Sequence, residues 1–522
     1  METTPTPRRW LAMASIALGV ALVIMDATIV NVALPVVIED LHLDATQAQW
    51  MNAVYSLVFA ALMLTSGRLA DLYGRRLMFI IGMVIFGVGS VLAGSAIGPT
   101  MLIAARLLQG VGAAAILPST LSTINALFTG RDRGVAFAIY GSTIGGMAAV
   151  GPLVGGWLAT DVSWRWAFWL NLPFLLIAFV LALVAMPETR DPNIRRGIDI
   201  VGTLLASIAL AGIVFALIES STYGWWKQDS GSVSPVPFAL VTGVLMLWAF
   251  VSWERAREAK QKVVLTHLGL FKIRSFRYGA IAALIVSLGE FGMLFTLPLV
   301  LQGAMGYDAL GTGWLILSLA VGTFLISGMV PQLTRRLGET TVVRIGLGLE
   351  ALAVGALALT LPGHAWQLAV ILFVYGAGVG MATAQLTSVI LSQVPVKRSG
   401  EASGMQTTVR QLGSALGVAL LGGLLITSLT TGTRDGLAKT QIPPAAQSQV
   451  VEIVHSSVGA AIPSLKAAPQ TKAAAEVAQD ALVTAARYST GVASGVLLIG
   501  LLATLALPAS TRREESEALS EA

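Results

Sequence analysis

The chain has 522 residues, of which 55% are hydrophobic and only 12% are charged. That balance leaves too little polar surface to cover a single soluble globule. The absence of cysteine excludes disulfides, thiolate metal sites and cysteine nucleophiles, and the net charge of +5 is distributed in a way that does not indicate nucleic-acid binding.

Apolar runs of about 20 residues, each long enough to cross about 30 Å of hydrocarbon, follow one another along the chain. The first run comes after Arg8 and Arg9, is longer than the core of a signal peptide and contains Asp26, so we expect it to be retained. The sequence therefore predicts an all-α membrane protein. Its fourteen predicted spans are 11–35, 47–69, 77–97, 101–123, 134–159, 166–186, 200–220, 236–253, 277–301, 310–331, 341–361, 367–391, 402–430 and 488–508.

Span 1 contains an acid near its centre, Asp26, in the run Met25-Asp26-Ala27-Thr28-Ile29-Val30-Asn31-Val32-Ala33-Leu34-Pro35. A carboxylate at the centre of a membrane helix costs about 2.5–3.5 kcal/mol on insertion scales, so it persists where it faces a cavity or a partner. Asp26 is thus a candidate functional acid, and the alternative is a buried acid that only braces a neighbouring helix.

Spans 2 and 3 are joined by a short charged turn bounded by glycines, Gly67-Arg68-Leu69-Ala70-Asp71-Leu72-Tyr73-Gly74-Arg75-Arg76. Ten residues are too few for a domain linker between two apolar runs. The turn is therefore predicted to be a tight loop between two membrane helices.

Span 4 contains Arg106, at the start of the run Arg106-Leu107-Leu108-Gln109-Gly110-Val111-Gly112. At 1.5 Å per residue, Asp26 lies roughly 22 Å from one face and Arg106 roughly 9 Å from the other. In a core of about 30 Å these depths coincide, so an Arg106–Asp26 ion pair is geometrically possible.

Span 5 is rich in small residues, which let helices approach closely, and its Gly-Pro step loosens the backbone hydrogen-bond ladder. The residues concerned are Gly145, Gly151, Pro152, Gly155 and Gly156.

The two halves of the chain repeat each other at an offset near 265 residues. Gly110-Val111-Gly112 parallels Gly376-Ala377-Gly378, and Leu372 stands where the repeat predicts a second Arg106. The predicted fold is two pseudo-symmetric six-helix bundles with an inserted two-helix hairpin, an arrangement suited to alternating access. The predicted units are a first bundle (1–190), the hairpin (191–253), a basic linker (254–276), a second bundle (277–508) and a tail (509–522).

Span 9 supplies a second acid, Glu290, eight residues before Pro298, as Asp26 lies nine before Pro35. The repeat therefore places both acids at nearly one depth, on helices that face the cavity, so that Glu290 is predicted to face Asp26 across it. The alternative for Glu290 is a hydrogen-bonded brace. Glu350 falls in the counterpart of span 3, where the sequence suggests no function for it.

Several of these features resemble one family. The Gly67–Arg76 loop is similar to the signature loop of the major facilitator superfamily, transporters that alternate between inward-open and outward-open states. The run around Asp26 resembles the fourteen-span drug:proton antiporters of the quaternary-ammonium and multidrug exporter type. The run at Arg106 and the span 5 glycines are similar to the family's fourth-span and antiporter motifs. The resemblance covers nearly the whole chain apart from 431–487.

The resemblance implies a conformational latch at the cytoplasmic face, formed by Gly67, Asp71, Gly74, Arg75 and Arg76. Most of the 33 Lys and Arg residues fall in alternate loops, which predicts that both termini lie in the cytoplasm. The resemblance implies a multi-pass protein of the bacterial inner membrane. Segment 431–487 then lies outside; its start is predicted to be a loop and 464–487 to be helical, forming a cap or, alternatively, a substrate lid.

The function predicted is proton-coupled export of lipophilic, often cationic, drugs or dyes. The alternatives are a dedicated exporter of one endogenous compound, such as an antibiotic, siderophore or lipid precursor, and a non-transporting sensor or scaffold. No phosphate-binding loop is present, so ATP is not expected to drive transport, and the four histidines form no metal-ligand pattern. No cofactor, metal or nucleic-acid partner is expected, and the protein is expected to be a monomeric non-enzyme among membrane lipids. The predicted proton-coupling residues are Asp26, Arg106 and Glu290; the predicted substrate-binding residues are Met25, Asn31, Tyr55, Gln109, Glu290, Phe291, Phe295, Tyr375 and Gln385.

Overall fold

A computed structural model describes residues 6–128, 130–190, 197–227, 232–395 and 398–507. Within these ranges, fourteen helical segments are long and apolar enough to cross a membrane, which confirms the predicted number. The helices are α1 (Thr6–Leu41), α2 (Ala45–Tyr73), α3 (Arg75–Gly94), α4 (Pro99–Leu127), α5 (Gly130–Trp157), α6 (Trp166–Trp169), α7 (Asn171–Ala185), α8 (Ile200–Tyr223), α9 (Val236–Ala259), α10 (Arg274–Gly303), α11 (Ala309–Leu337), α12 (Glu339–Thr360), α13 (Ala365–Leu391), α14 (Ser399–Leu437), α15 (Pro444–Ser456), α16 (Ile462–Ala467) and α17 (Lys472–Leu505).

Spans 1 to 5 are α1 to α5, and α6 and α7 together make span 6. Spans 7 and 8 are α8 and α9, spans 9 to 13 are α10 to α14, and span 14 is α17. Because successive spans cross in opposite directions, the turns between them lie alternately on two faces of the molecule. The basic face holds the α2–α3 turn at Gly74 and the linker 260–273. The far face holds the α1–α2 turn at His42 and the short helices α15 and α16.

Short polar side chains set the helix boundaries. The Asp44 carboxylate accepts from the Gln47 amide nitrogen, and the Gln47 side chain accepts from the Asp44 amide nitrogen, so α2 begins in a capping box. Asp308 caps α11 in the same manner by accepting from the Gly311 amide nitrogen. Gly74 has φ of 132°, a conformation that a side chain would strain, and it lets α2 turn directly into α3.

The internal repeat is visible in how the glycines pack. In the first bundle, a Cβ added at Gly82 on α3 would lie 2.8 Å from the Gly112 carbonyl oxygen on α4. In the second bundle, a Cβ at Gly346 on α12 would lie 2.8 Å from the Gly378 carbonyl oxygen on α13. The same close helix crossing therefore occurs twice, in agreement with the sequence offset.

The hairpin of α8 and α9 packs beside α2. Its two helices cross closely, because a Cβ at Gly212 would lie 2.8 Å from the Ala239 carbonyl oxygen. Thr65 on α2 is hydrogen-bonded to Thr203 on α8 at 2.8 Å, and Trp50 donates to Glu219 at 2.8 Å. The hairpin is thus attached to the first bundle at two depths.

Polar contacts join the two bundles most clearly at the far face. Gln302 Nε2 on α10 donates to the Val32 carbonyl oxygen at 3.0 Å, and the Leu310 amide donates to Thr160 Oγ1 at 3.0 Å. Ser464 on α16 donates to Glu39 at 3.1 Å. The bundles are therefore in contact at the far face in this conformation.

The linker is shorter than predicted, because α9 continues to Ala259 and so includes the first residues of 254–276. Glu254 explains the extension: its carboxylate points inward and accepts from the Leu265 and Thr266 amides at 3.1–3.4 Å. A single 3₁₀ turn, Leu268–Lys272, leads into α10. His267 Nδ1 lies 2.8 Å from Glu401 on α14, so the linker is fixed to the second bundle.

Segment 431–487 is mainly helical, and the loop predicted at its start is confined to 438–443, which includes Pro443. Helix α14 continues to Leu437, α15 begins at Pro444, and α17 begins at Lys472 and runs without a break into span 14. Proline is accepted in a first helical turn, where its missing N–H costs no hydrogen bond, so Pro444 starts a helix rather than a loop. The predicted helix at the alanine-rich end is confirmed over 472–487.

Candidate functional site

The first charged cluster lies inside the first bundle, around Asp26. Arg106 Nη1 on α4 donates to Asp26 Oδ2 at 2.5 Å. Asp26 Oδ1 accepts from Gln109 Nε2 at 2.9 Å and from Asn171 Nδ2 at 3.0 Å. The predicted Arg106–Asp26 pair is therefore formed, with the Asp26 side chain 0% and the Arg106 side chain 1% exposed.

Arg106 has further partners within the same bundle. Its guanidinium donates to Gln109 Oε1 at 2.7 Å and to the Met51 carbonyl oxygen at 3.3 Å. The guanidinium carbon lies 4.4 Å from the centre of the Tyr55 ring, a cation–π distance. The two charges of the pair thus neutralise each other and are hydrogen-bonded by groups of their own bundle.

Gln109 and Tyr55 were predicted to bind substrate, and that role stays a prediction. Both are buried against the ion pair, so in this conformation they hold Arg106 rather than line a binding space. Asn171 and Ser90 were missed: Ser90 Oγ accepts from Gln109 at 3.0 Å and from Asn171 at 3.2 Å. The sequence signal that could have identified them is a polar side chain within an apolar run: Asn171 in span 6 and Ser90 in span 3.

The second charged cluster lies inside the second bundle, where Glu290 on α10 and Arg410 on α14 approach to 3.8 Å. Their side chains are 15% and 29% exposed, so this pair is looser and more accessible than the first. Glu350 on α12 is fully buried and lies within electrostatic range of both charges. The Tyr375 ring on α13 is buried beside the two acids.

Glu290 does not face Asp26 across a cavity, so that prediction was wrong for this conformation. Asp26 is sealed inside its own bundle, and the arginine partner of Glu290 is Arg410. The repeat gave the position of Glu290 along its helix. It did not reveal the arginine partner: the counterpart of Arg106 is the buried, uncharged Leu372, and the positive charge comes from Arg410 on α14 instead.

The remaining predicted substrate-binding residues have different surroundings. Met25 and Phe295 are buried, and Phe295 packs against Gly422. Asn31 is half-buried and donates to the Ala27 carbonyl oxygen at 3.1 Å. Phe291 and Gln385 are also half-buried.

The predicted latch residues meet at the basic face. Arg75 donates to Asp71 Oδ1 at 3.0 and 3.1 Å and to the Ser122 carbonyl oxygen on α4 at 3.2 Å. Glu188, which sequence reasoning missed, accepts from the Arg76 and Leu77 amides at 3.1 and 3.2 Å. A carboxylate at the start of α3 satisfies N–H groups that lack partners within the helix.

Gly67 and Arg76 connect the turn to neighbouring helices. Gly67 packs against Pro118, with a Cβ there falling 3.4 Å from the proline side chain. The Arg76 side chain donates to the Leu183 carbonyl oxygen at 2.8 Å. The turn therefore holds α2, α3, α4 and the end of α7 together.

The small residues of α5 pack against both bundles. A Cβ at Gly155 would lie 2.9 Å from the Ile29 carbonyl oxygen on α1, and Gly151 lies against Thr28. Gly156 lies against the Ala309 carbonyl oxygen of α11, and a Cβ at Gly313 would lie 2.6 Å from the Pro152 carbonyl oxygen. Gly145 is part of the same helix. Helix α5 can thus approach α1 of its own bundle and α11 of the other.

Comparison with known families identifies this architecture. The model of the Major Facilitator Superfamily matches residues 16–418, and the chain belongs to that family of membrane transporters. The resemblance read from the loop at Gly67–Arg76 is therefore confirmed, as are the membrane-transporter fold and the multi-pass membrane location.

Relatives of known description are drug-resistance and efflux proteins. The chain is 36% identical to a puromycin resistance protein of Streptomyces alboniger, covering 85% of this chain and 86% of the relative. It is 33% identical to the probable actinorhodin transporter of Streptomyces coelicolor, covering 85% and 77%. It is 33% identical to the multidrug efflux pump LfrA of Mycolicibacterium smegmatis, covering 86% and 87%.

A solved structure shares the fold at low sequence identity. The crystal structure of a bacterial homolog of the human lysosomal transporter Spinster, in an inward-facing and unoccupied conformation, superposes with a TM-score of 0.62 at 17% identity. The match covers 96% of this chain and 98% of that chain. At this identity the likeness concerns the fold alone.

Proposed function

We propose that this protein is a proton-coupled antiporter that exports lipophilic, often cationic, drugs or dyes by alternating access. The observation that carries the proposal is the Asp26–Arg106 ion pair, enclosed within a membrane-spanning bundle. Relatives described as a multidrug efflux pump and as drug-resistance proteins support the substrate class.

The ion pair provides a means of coupling. A proton on Asp26 neutralises the carboxylate and leaves the Arg106 cation buried without its anion. Breaking a buried ion pair in this way costs about 3–5 kcal/mol, so protonation favours a conformation in which Arg106 is otherwise stabilised. The proton gradient supplies the opposing energy, since one charge crossing 100 mV releases about 2.3 kcal/mol.

The rest of the cycle follows from the two bundles. We assign 1–190 and 277–508 to the bundles that rock, with the hairpin 191–253 moving with the first. The latch at Asp71 and Arg75 stabilises one state, and the glycines of α5 allow close approach to the other bundle. With the basic face in the cytoplasm and both termini inside, the polar contacts at the far face would belong to an outside-closed state.

Substrate would bind between the bundles near the midplane. Glu290 is the acid that is partly exposed, and an anion there offsets the hydration that a buried cation loses. Phe291, half-buried next to it, and Gln385 on α13 are proposed as further contacts, with Met25, Asn31 and Phe295 contributing after the bundles separate.

A second candidate is a dedicated exporter of one endogenous compound by the same mechanism. The similarity to the probable actinorhodin transporter and to a tetracenomycin C resistance and export protein favours it. A susceptibility panel of chemically unrelated toxic compounds separates the two. Protection against many compounds supports multidrug export, whereas protection against a single scaffold supports the dedicated exporter.

Coupling itself is tested in everted membrane vesicles loaded with a proton gradient. Adding ethidium, a lipophilic cation, should collapse part of the gradient in vesicles that contain the wild-type protein. The control is Glu219→Gln, which neutralises an acid that is hydrogen-bonded to Trp50 and belongs to neither charged cluster. Ethidium accumulation that persists after the proton gradient is abolished would contradict the proposal.

A further inference from the structure

Glu350 is a buried acid for which the proposed mechanism has no use. It lies on α12, a helix at the periphery of the second bundle, and its side chain is 0% exposed. Among the residues that the structure describes, neither of its carboxylate oxygens has a hydrogen-bond partner. Burying this carboxyl group costs much more free energy when it is an anion than when it is a neutral acid, because an unpaired charge loses its hydration without compensation.

The site is shaped to hold this carboxyl group. A Cβ at Gly378 on α13 would lie 2.8 Å from Glu350 Cγ, so only glycine leaves room for the acid. The first bundle has the same crossing, where a Cβ at Gly112 would lie 2.7 Å from Phe86 Cβ. Phe86 thus occupies the position in the first bundle that Glu350 occupies in the second, and a phenyl ring would have filled it without any charge.

The surroundings of Glu350 are polar and incompletely paired. Glu290 on α10 and Arg410 on α14 act on it electrostatically. Within the described part of the chain, the Tyr375 hydroxyl on α13 and Glu290 Oε2, 3.8 Å from Arg410, are both without a hydrogen bond. From α17, Ser494 is already committed to the Ala351 carbonyl oxygen. Both acids therefore interact electrostatically with Arg410, and Glu290 lies 3.8 Å from it.

Arg410 also has contact with a crevice between helices α10, α13 and α14. At about 10 Å³ the crevice has room for one water molecule next to Arg410, and such a water can bring or accept a proton. Its lining residues are Ala283, Val286, Ser287, Thr383, Leu386, Gln406 and Arg410.

From this geometry we propose that Glu350 is a second proton-binding site, separate from Asp26, which binds a proton when Arg410 is engaged with Glu290 and releases it when Arg410 turns to Glu350. The step is a simple acid–base exchange, in which the Glu350 carboxylate takes a proton from water and later returns it to water. Its part in transport rests on the proposed function. A cationic substrate at Glu290 would free Arg410 for Glu350 and so expel the proton.

Infrared difference spectroscopy of the purified full chain in detergent tests proton binding directly. A pH jump in the wild type should produce a carbonyl band of a carboxylic acid that Glu350→Gln lacks. Glu350→Asp should shift the band, and Glu219→Gln should leave it unchanged. Glu350→Phe, which copies the phenyl ring of Phe86, fills the same space without a carboxyl group and should also lack the band. Bands identical to wild type in Glu350→Gln, or an unshifted band in Glu350→Asp, would overturn the inference.

Proton release on adding ethidium tests the link to transport. Glu350→Gln should release a single proton fewer than wild type, with ethidium affinity kept within about threefold. An unchanged proton count in Glu350→Gln would overturn the inference and leave the proposed function intact. If wild type released no proton with ethidium, the proposed function would fail, while the infrared band would still establish proton binding at Glu350.

Discussion

The two bundles share a backbone plan but treat buried charge in opposite ways. In the first, Asp26 and Arg106 lie 2.5 Å apart, almost unexposed, and Gln109 and Asn171 complete the hydrogen bonds. In the second, Glu290 and Arg410 are 3.8 Å apart and partly exposed, and Glu350 has no hydrogen-bond partner among the described residues.

The difference arises at corresponding positions on matching helices. Arg106 corresponds to the buried Leu372, and Phe86 corresponds to the buried Glu350. The second bundle thus has leucine where the first has Arg106 and an acid where the first has Phe86, and its arginine lies on α14. The fully hydrogen-bonded Asp26–Arg106 pair gains nothing from a further ligand. The incompletely paired group of Glu290, Arg410 and Glu350 can be stabilised by a bound proton or cation.

The largest effect is expected when the satisfied pair is broken. Asp26→Asn should abolish proton-coupled export, because asparagine can neither bind a proton nor form an ion pair with Arg106. The buried arginine left without its anion should also destabilise the protein by about 3–5 kcal/mol. Transport is measured as ethidium export in vesicles, and stability as thermal unfolding in detergent.

The double variant Asp26→Asn with Arg106→Gln separates these effects. It removes both charges, so stability should recover while transport stays absent. Uphill export by Asp26→Asn at the wild-type rate would remove Asp26 from the coupling mechanism.

A smaller effect, about tenfold on turnover, is expected at the latch of the first bundle. Asp71→Asn removes the anion that accepts from Arg75 twice, so the state held by this contact should form less readily. Substrate affinity should stay within about threefold, since the basic face is far from the midplane. Asp308→Asn is the control, because asparagine still caps α11. A large loss of affinity with normal cycling would contradict the assignment.

In the second bundle, replacing Glu290 should affect cationic and neutral substrates differently. Glu290→Gln should weaken binding of cationic dyes by roughly tenfold and that of neutral compounds much less, since only the cations need the anion. Equilibrium binding of matched charged and neutral dyes measures the ratio, with Glu219→Gln as the control. Equal losses for both classes would assign Glu290 to proton coupling, and no loss for either would make it a structural brace.

The smallest effect concerns the linker at the basic face. The hydrogen bond from His267 to Glu401 raises the pKa of the His267 imidazole. The negative charge of Glu258 also raises this pKa, whereas burial and the positive charge of Arg398 lower it, and the net effect is an increase. The contact therefore stabilises the fold fully below the ordinary histidine pKa of about 6.5, and this contribution is lost as pH rises through the raised value.

The imidazole is 40% exposed, so solvent screening keeps the contribution below about 1 kcal/mol. Thermal unfolding of wild type and His267→Gln, followed from acidic to mildly alkaline pH, should show a difference that narrows as pH rises. A difference that stays constant across this range would show that charge on His267 is unimportant.

Much of this protein follows from its sequence because membrane helices are local structures. Hydrocarbon offers no hydrogen bonds, so each span satisfies its own backbone and is visible as an apolar run. The number of spans, the repeat, the tight turn at Gly74 and the depth match of Asp26 with Arg106 all came from such local rules. The extension of α9 to Ala259 did not, since it depends on Glu254 meeting amides eleven and twelve residues further along the chain.

What only the tertiary structure decided is which polar groups meet. The positions of Asn171 and Ser90 along their helices say nothing about Asp26 until rotation and packing bring α3 and α7 against α1. The repeat placed Glu290 at the depth of Asp26, yet its arginine partner comes from α14 and its acidic neighbour from α12. Charges interact through space over several ångströms, so the satisfaction of a buried charge is a property of the assembled bundle and not of any single span.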